Sequence, residues 1–488
     1  MTPHPFRSPP TLAPLVAAVL GLSTVIGPGA EVAAKTVPAE VNLLDTEAWI
    51  MGGSGAPIPS AGSMAALSQR YVNPAVPFFP GQPQFPVSAT HSLFTPEGLY
   101  PLTGIKVLEL DPSVEQGLSI LDHTIKGQIA AGNNLVVVGV SQSAVISALE
   151  MRDLLDLPLV DQPTADQLSF VLLGNESNPN GGLLSRFGDP SLPPLSIPTL
   201  GITFSGAQPA DTPWETAIYT AEYDGFADFP RYPINLLADL NALLGIAFVH
   251  TSYGKLTAEQ LAATIELPVT DDYTGNTRYF MIPTENLPLL TPLRAIPVLG
   301  DPLADLLQPA LRVLVNLGYG SIEYGWDQGP ANVPTPFALF PTDINPMDVF
   351  TALVNGVQQG FDDFVDHFDS LSLPSIWEAI TNSTDASDSS PSLLDIANTF
   401  SGVLSSVYSG LLPTADVINA LLTTLPAYDI ALFTQELLAG DLIDAIGLPI
   451  AATVGLGSLA GMVEIGALLN AIGPLLGIGD PSDLLPLF

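Results

Sequence analysis

The chain has 488 residues and no cysteine, which excludes disulfides, thiolate nucleophiles and Cys-ligated metals. Basic side chains are almost as scarce: 12 Lys and Arg stand against 49 Asp and Glu, a formal charge of -37. Such a surface repels polyanions, so nucleic acid is not expected as a partner. The five histidines, His4, His91, His123, His250 and His367, are too dispersed for an HExxH or similar ligand pair. Neither a metal nor another cofactor is therefore expected. The acidity that remains is read as a source of solubility for a chain that is 47% hydrophobic.

What is present is enough apolar sequence for a sizeable core, interrupted by 48 prolines and 42 glycines. The length suits one catalytic-sized domain with an appended region. At the N-terminus Arg7 precedes an apolar run from Leu12 to Ile26 and small residues at Val32, Ala33 and Ala34. That layout predicts a secretory signal peptide over residues 1–39, cleaved after Ala34 or Ala39, with an uncleaved anchor as the alternative. A secreted or cell-envelope location follows.

From Val41 to Ile246, short β-rich runs alternate with helical patterns, which predicts a mostly parallel α/β sheet flanked by helices. The run Leu135 to Val140 reads as a central strand buried on both faces, and Leu168 to Gly174 as another. Leu43 to Met51, Ile105 to Leu110, Leu200 to Phe204 and Ala217 to Tyr223 are further strand candidates. Dense prolines over about 265–325 predict a cap of short helices and loops. Its Phe280, Met281, Leu289 and Leu290 are candidates either for an acyl channel or for plain core. A polar tract over 381–392 reads as a linker, and the Ala/Leu/Gly-rich remainder makes 346–488 a helical C-terminal extension. Between Asp444 and Glu464 it carries no charge, and a packed or membrane-lying helix is expected there in preference to a span.

The chemistry centres on LVVVGVSQSAVISALE, Leu135 to Glu150. Gly139-Val140-Ser141-Gln142-Ser143 resembles the G-x-S-x-G nucleophile elbow, with Ser143 in place of the last glycine. A strand turning sharply into a helix would present the Ser141 hydroxyl at the sheet edge. Its partners in such a fold follow in the order Ser, Asp, His. His250 and His367 are the downstream histidines, and His367 sits among carboxylates in FDDFVDHFDS, which reads as an exposed helix face. His250 is thus the expected base. The turn EYDGFADFP offers two acids; Asp228 is preferred because Gly-x-x-Asp places it beyond the strand end, and Asp224 is the alternative, with turn capping as its other role. The oxyanion donors are expected to be the backbone N–H groups of Gln142 and Ser54, the latter in the loop Gly52-Gly53-Ser54-Gly55, where glycine allows close approach.

Together GGSGAP, AAGNNLVVVGVSQSAVISALEMRDL, LSFVLLGNESNPNGGLLSRF, EYDGFADFPRYPINLLADLN, VHTSYG and NLPLLTPLRAIPVLGDPLADLLQPALRVLVNLGYG resemble the mycobacterial PE-PPE domain, from about Val41 to Tyr324. The resemblance implies a serine α/β hydrolase, similar to cutinases, acting on short to medium acyl esters, with some relatives transferring acyl chains between trehalose lipids. It implies Ser141 as nucleophile, His250 as base, an Asp of the EYDGFADFP block as its partner, and the Gly52 to Gly55 loop with Gln142 as oxyanion hole. The chain departs from the pattern in three respects. A signal-like segment stands where an N-terminal PE or PPE module would be, Ser54 replaces a typical Thr, and the tail beyond about Asn345 lies outside the match.

The expected domains are therefore 1–39, a hydrolase domain over 40–345, and 346–488. The expected function is an exported serine esterase taking an acyl-ester or lipid substrate, with peripheral envelope association. Two rivals are an acyltransferase using a sugar hydroxyl as acceptor, and a silent interaction protein on the same scaffold.

Overall fold

The computed structural model describes residues 45–188, 192–296, 299–370 and 412–472. The expected signal segment, the polar tract 381–392 and the side chain of His367 lie outside the described residues.

Seven strands form one sheet in the order β2-β1-β3-β4-β7-β9-β8. They are β1 (Thr46–Ile50), β2 (Ala89–Ser92), β3 (Asn134–Val140), β4 (Leu168–Leu173), β7 (Glu215–Ala221), β8 (Ile265–Glu266) and β9 (Thr277–Ile282). Every pairing is parallel except that of β8 with β9. A separate small hairpin joins β5 (Ser196–Ile197) to β6 (Ile202–Thr203). The fold is therefore the expected α/β arrangement.

Period-two alternation with both faces buried explains the apolar run Leu135 to Val138 of β3. Leu135 and Val137 pack on the side of Leu121, Val145 and Ile146, whereas Val136 and Val138 face Tyr71, Val249 and Tyr253. Each such buried valine contributes on the order of 1.5–3 kcal/mol relative to exposure.

The helices α1 (Ala61–Leu67), α2 (Leu110–Ala131), α3 (Gln142–Asp156), α4 (Leu183–Arg186), α5 (Leu236–Phe248) and α6 (Ala258–Ala262) flank the sheet or connect its strands. Gly132, at φ 88°, closes α2 in the left-handed conformation that glycine adopts without strain.

The Pro-rich stretch differs from the expected cap. It supplies β9 to the sheet, where Phe280 stacks on Tyr219 at 4.9 Å, before continuing into α7 (Thr291–Arg294) and α8 (Gly300–Asn316). Phe280 and Met281 are thus sheet core, and Leu290 packs with Tyr223, Ala238 and Tyr319; none of them borders the apolar cavity described below. Ile105 to Leu110 is a turn leading into α2, and Leu200 to Phe204 contributes only β6.

Beyond the sheet domain α9 (Pro346–Ser370) lies along α8. Its Gly356 and Gly360 approach the backbone of Ala310 and Leu306 so closely that an added Cβ would stand 3.0 and 2.1 Å from it. Residues 412–422 are helical and lead into α10 (Thr424–Ala439), which packs against α11 (Leu442–Ile472). Both helical stretches are long and apolar enough to cross a membrane, yet each turns one side to the sheet domain. Ser458 Oγ donates to Asp239 Oδ2 on α5 at 2.7 Å, and Tyr428 donates to the Phe187 carbonyl at 3.2 Å.

Candidate active site

Parallel strands in this order put the ends of β1, β3, β4 and β7 side by side, with the order reversing beside β3. Crevices at the carboxyl ends near such a reversal are where α/β sheets bind ligands.

Ser141 stands at the end of β3 with φ 56° and ψ -124° and caps α3. A non-glycine residue held there stores strain of order 1–3 kcal/mol. Neighbouring small residues make the turn possible. A Cβ on Gly139 would lie 2.7 Å from the Ser143 carbonyl oxygen and 2.9 Å from Ala144 Cα. Ser143, in the final glycine's place, is buried and useful: its hydroxyl accepts from Val140 N–H at 2.7 Å and lies 3.0 Å from the Val140 carbonyl oxygen, to which it donates.

The adjacent strand delivers the glycine loop. Ile50 of β1 pairs with Val138, so Gly52 and Gly53 emerge beside Val140 and Ser141. Gly53 sits so close that a Cβ there would be 3.0 Å from Ser141 Cβ, and one on Gly52 would overlap the Ala56 carbonyl. Gly55 N–H donates to the Glu97 carbonyl at 2.7 Å, which ties the loop to the segment after β2. Gln142 opens α3, so its backbone N–H belongs to the first turn, whose donors have no carbonyl within the helix to bind. Its buried side chain donates to the Gly98 carbonyl at 2.7 Å and to Ser54 Oγ at 3.3 Å, and accepts from Ser113 Oγ at 2.8 Å. Ser54 thus keeps a side-chain contact to the elbow. Gly52, Gly53, Ser54, Ser141 and His250 line one cleft of about 610 Å³.

His250 follows α5 and is buried. Its Nδ1 lies 2.8 Å and 2.9 Å from the two carboxylate oxygens of Asp224. Asp224 also accepts from Tyr253 Oη at 2.7 Å and from the N–H groups of Phe226 and Ala227 at 3.0 and 3.3 Å. The proton on Nδ1 leaves Nε2 as the acceptor, and buried Nε2 has no hydrogen-bond partner among the described residues. Burial opposes the imidazolium, but Asp224, with Glu176 adding to it, outweighs that opposition and raises the His250 pKa above its ordinary value.

The structure places Asp224, and not the preferred Asp228, against His250. Tyr223, at φ 66°, reverses the chain after β7 and aims Asp224 back at His250. Asp228, one turn later, accepts from Tyr223 N–H at 3.1 Å and lies against Gly181 on the side of Arg186. Burial drives its pKa well above the usual carboxylate range.

The sequence reading missed Glu176, which follows β4. Ser141 Oγ donates to Glu176 Oε1 at 3.2 Å. Burial pushes the Glu176 pKa up to about 7, against the pull of His250 and the Ser141 hydrogen bond. The signal available was its place just past the end of a strand adjacent to β3; nothing local to NESNPN reveals it.

The PE-PPE domain profile matches residues 86–320. The uncharacterized PPE family protein PPE28 of Mycobacterium tuberculosis is 44% identical over 459 residues, covering 90% of this chain and 67% of that protein. Esterase PE16 of the same organism is 47% identical over 65% of this chain and 55% of its own length. Diacyltrehalose acyltransferase Chp2, also from M. tuberculosis, is 27% identical over 47% of this chain and 62% of its own. The chain spans about half to two thirds of the length of these relatives.

Proposed function

This chain belongs to the PE-PPE domain family, and we propose that it is a serine esterase that cleaves acyl esters through Ser141, His250 and Asp224. The observation that carries the reading is the His250–Asp224 pair at 2.8 Å, with His250 and Ser141 lining one cleft. The similarity to a protein named as an esterase supports the same reaction.

In this mechanism Ser141 Oγ turns from Glu176 to His250 Nε2 and gives up its proton as it attacks the ester carbonyl. Asp224 holds the ring by Nδ1 and stabilises the imidazolium. The oxyanion is received by the backbone N–H groups of Gln142 and Ser54. His250 passes its proton to the departing alkoxide, leaving an acyl-serine. Water, deprotonated by His250, then releases the acid and restores the serine. The test is hydrolysis of p-nitrophenyl acyl esters: Ser141→Ala should lose at least about 10⁴-fold in kcat. Equal turnover by both proteins would remove Ser141 from the reaction, and no turnover by either would favour a silent scaffold.

Acyl transfer is the second reading, favoured by the similarity to a diacyltrehalose acyltransferase. A sugar hydroxyl would take the place of water at the acyl-serine. Incubation with an acylated trehalose donor should then yield exchanged acyl products, where hydrolysis alone yields free acid.

The proposed location is the cell envelope, reached through the N-terminal apolar segment and held by the C-terminal helices. Support comes from Leu438, Leu442, Ile443 and Ile446, which are exposed by 62% or more around the α10–α11 turn. Flotation with phosphatidylcholine vesicles should carry the protein, and replacing Leu438 and Ile443 by Ser should reduce it. Failure of the parent protein to float would remove the membrane contact.

A further inference from the structure

A partly open, almost wholly apolar cavity lies between the sheet domain and the C-terminal helices. It is narrow, about 100 Å³, of the order of engineered cavities of about 150 Å³ that stay dry and accept small hydrocarbons. Leu110, Leu183, Phe204 and Phe226 line it from the sheet domain. The opposite wall comes from two helical faces: Val417, Leu421 and Leu425 recur at i, i+4 and i+8, and Leu456, Ala460 and Val463 at i, i+4 and i+7.

Two residues connect this cavity to the proposed nucleophile. Glu176 lines it and accepts the Ser141 hydroxyl at 3.2 Å. Phe226 lines both this cavity and the Ser141 cleft, and its ring meets His250 edge-on at 4.9 Å. Glu176 is also the only charged side chain on the wall among the described residues. A headgroup or sugar would find too few hydrogen-bonding partners inside, whereas a hydrocarbon chain would lose nothing by entering.

We propose that this cavity is the acyl-chain site and that the C-terminal helices, by forming its outer wall, set the chain length the enzyme accepts. The inference deepens the esterase reading and rests on it for the position of the ester carbonyl at Ser141. The cavity takes an unbranched, uncharged chain of short to medium length, and the alcohol portion of the ester stays in the open cleft with Gly53 and Ser54.

The test uses the full chain and p-nitrophenyl esters from acetyl to hexadecanoyl. Burial of each methylene should raise kcat/KM about fourfold until the cavity is full. Ala460→Trp, and independently Ala420→Phe on the other helix, fill the cavity and should lower the octanoyl-to-acetyl ratio of kcat/KM at least tenfold. Val160→Ser, exposed after α3 and outside the wall, should leave that ratio as it was. If both bulky variants lose their cooperative melting transition, Met462→Ala, which enlarges the cavity, should move the preferred chain length upward. A flat chain-length series, or ratios unmoved by the wall variants, would overturn the proposal.

Calorimetry with 1-octanol on Ser141→Ala separates this failure from failure of the esterase reading. Octanol binding that Ala460→Trp weakens at least tenfold supports the cavity even if no ester is cleaved. Acetyl-ester cleavage with no octanol binding overturns the cavity and leaves the esterase standing.

Discussion

The carboxyl edge of the sheet and the C-terminal helices are both apolar in composition but are held in place in opposite ways. At the sheet edge buried polar groups are bonded across long sequence separations: Asp224 to His250 and Tyr253, Gln142 to Ser54, Gly98 and Ser113. The C-terminal helices have apolar faces inward and outward, with Leu422, Leu438 and Ile443 each at least 74% exposed, and are fixed by few polar contacts. A dense network holds atoms to the tolerance that bond-making needs, whereas apolar contact tolerates sliding and changes of length. On this view substitutions at the sheet edge act on kcat, and those in the helices act on which chain is bound.

The strongest challenge to that division is the pair of aspartates. Asp224→Asn removes the acceptor that fixes the His250 tautomer and should lower kcat by about 10³–10⁴-fold. Asp228→Asn, which leaves the hydrogen bonds between His250 and Asp224 in place, should change kcat by less than about threefold. Steady-state kinetics on the two variants would decide the matter, and a larger loss in Asp228→Asn would restore the sequence preference.

That preference failed for a local reason. The turn at Ser141 was readable because the requirements of an elbow are consecutive in sequence: an apolar strand, small residues around the serine, then a helix. His250 was reached by eliminating four other histidines. The choice between Asp224 and Asp228 turned on the positive φ of Tyr223, which no composition rule announces for a tyrosine. Glu176 was invisible because its importance comes from β4 lying next to β3. Of the two readings offered for Phe280 and Met281 the structure favours plain core, because both belong to β9, and the apolar cavity lies between segments far apart in sequence.

A smaller effect is expected from the glycine loop. Gly53→Ala would push a methyl to 3.0 Å from Ser141 Cβ and 3.3 Å from the Val140 carbonyl oxygen, displacing the loop by tenths of an ångström. Shifts of that size in an oxyanion donor should reduce kcat by about 10- to 100-fold while KM changes little. An effect on KM alone would mean that the loop binds substrate without stabilising the transition state.

Glu176→Gln probes the electrostatics of the same edge. The carboxylate favours the imidazolium form of His250, so its removal should lower the His250 pKa and let the base act at lower pH. The acid limb of kcat/KM should shift toward lower pH, and a glutamine that left it in place would show that Glu176 and His250 do not sense each other.

The smallest expected effect concerns the joint between the two regions. Asp239 accepts from Ser458 of α11, and burial pushes its pKa up to about 8; Glu150 and Glu97, also buried, are pushed up to about 8. Carboxyls with raised pKa values in the folded state stay protonated there while the unfolded chain ionises near pH 4. Their stabilisation is fully present below pH 4 and is lost progressively as pH rises to 8. Tm should therefore be higher at pH 5.5 than at pH 8, and Asp239→Asn should flatten that slope while keeping a neutral partner for Ser458. If Asp239→Asn leaves the slope unchanged while Glu150→Gln flattens it, the pH dependence of stability does not arise at the joint.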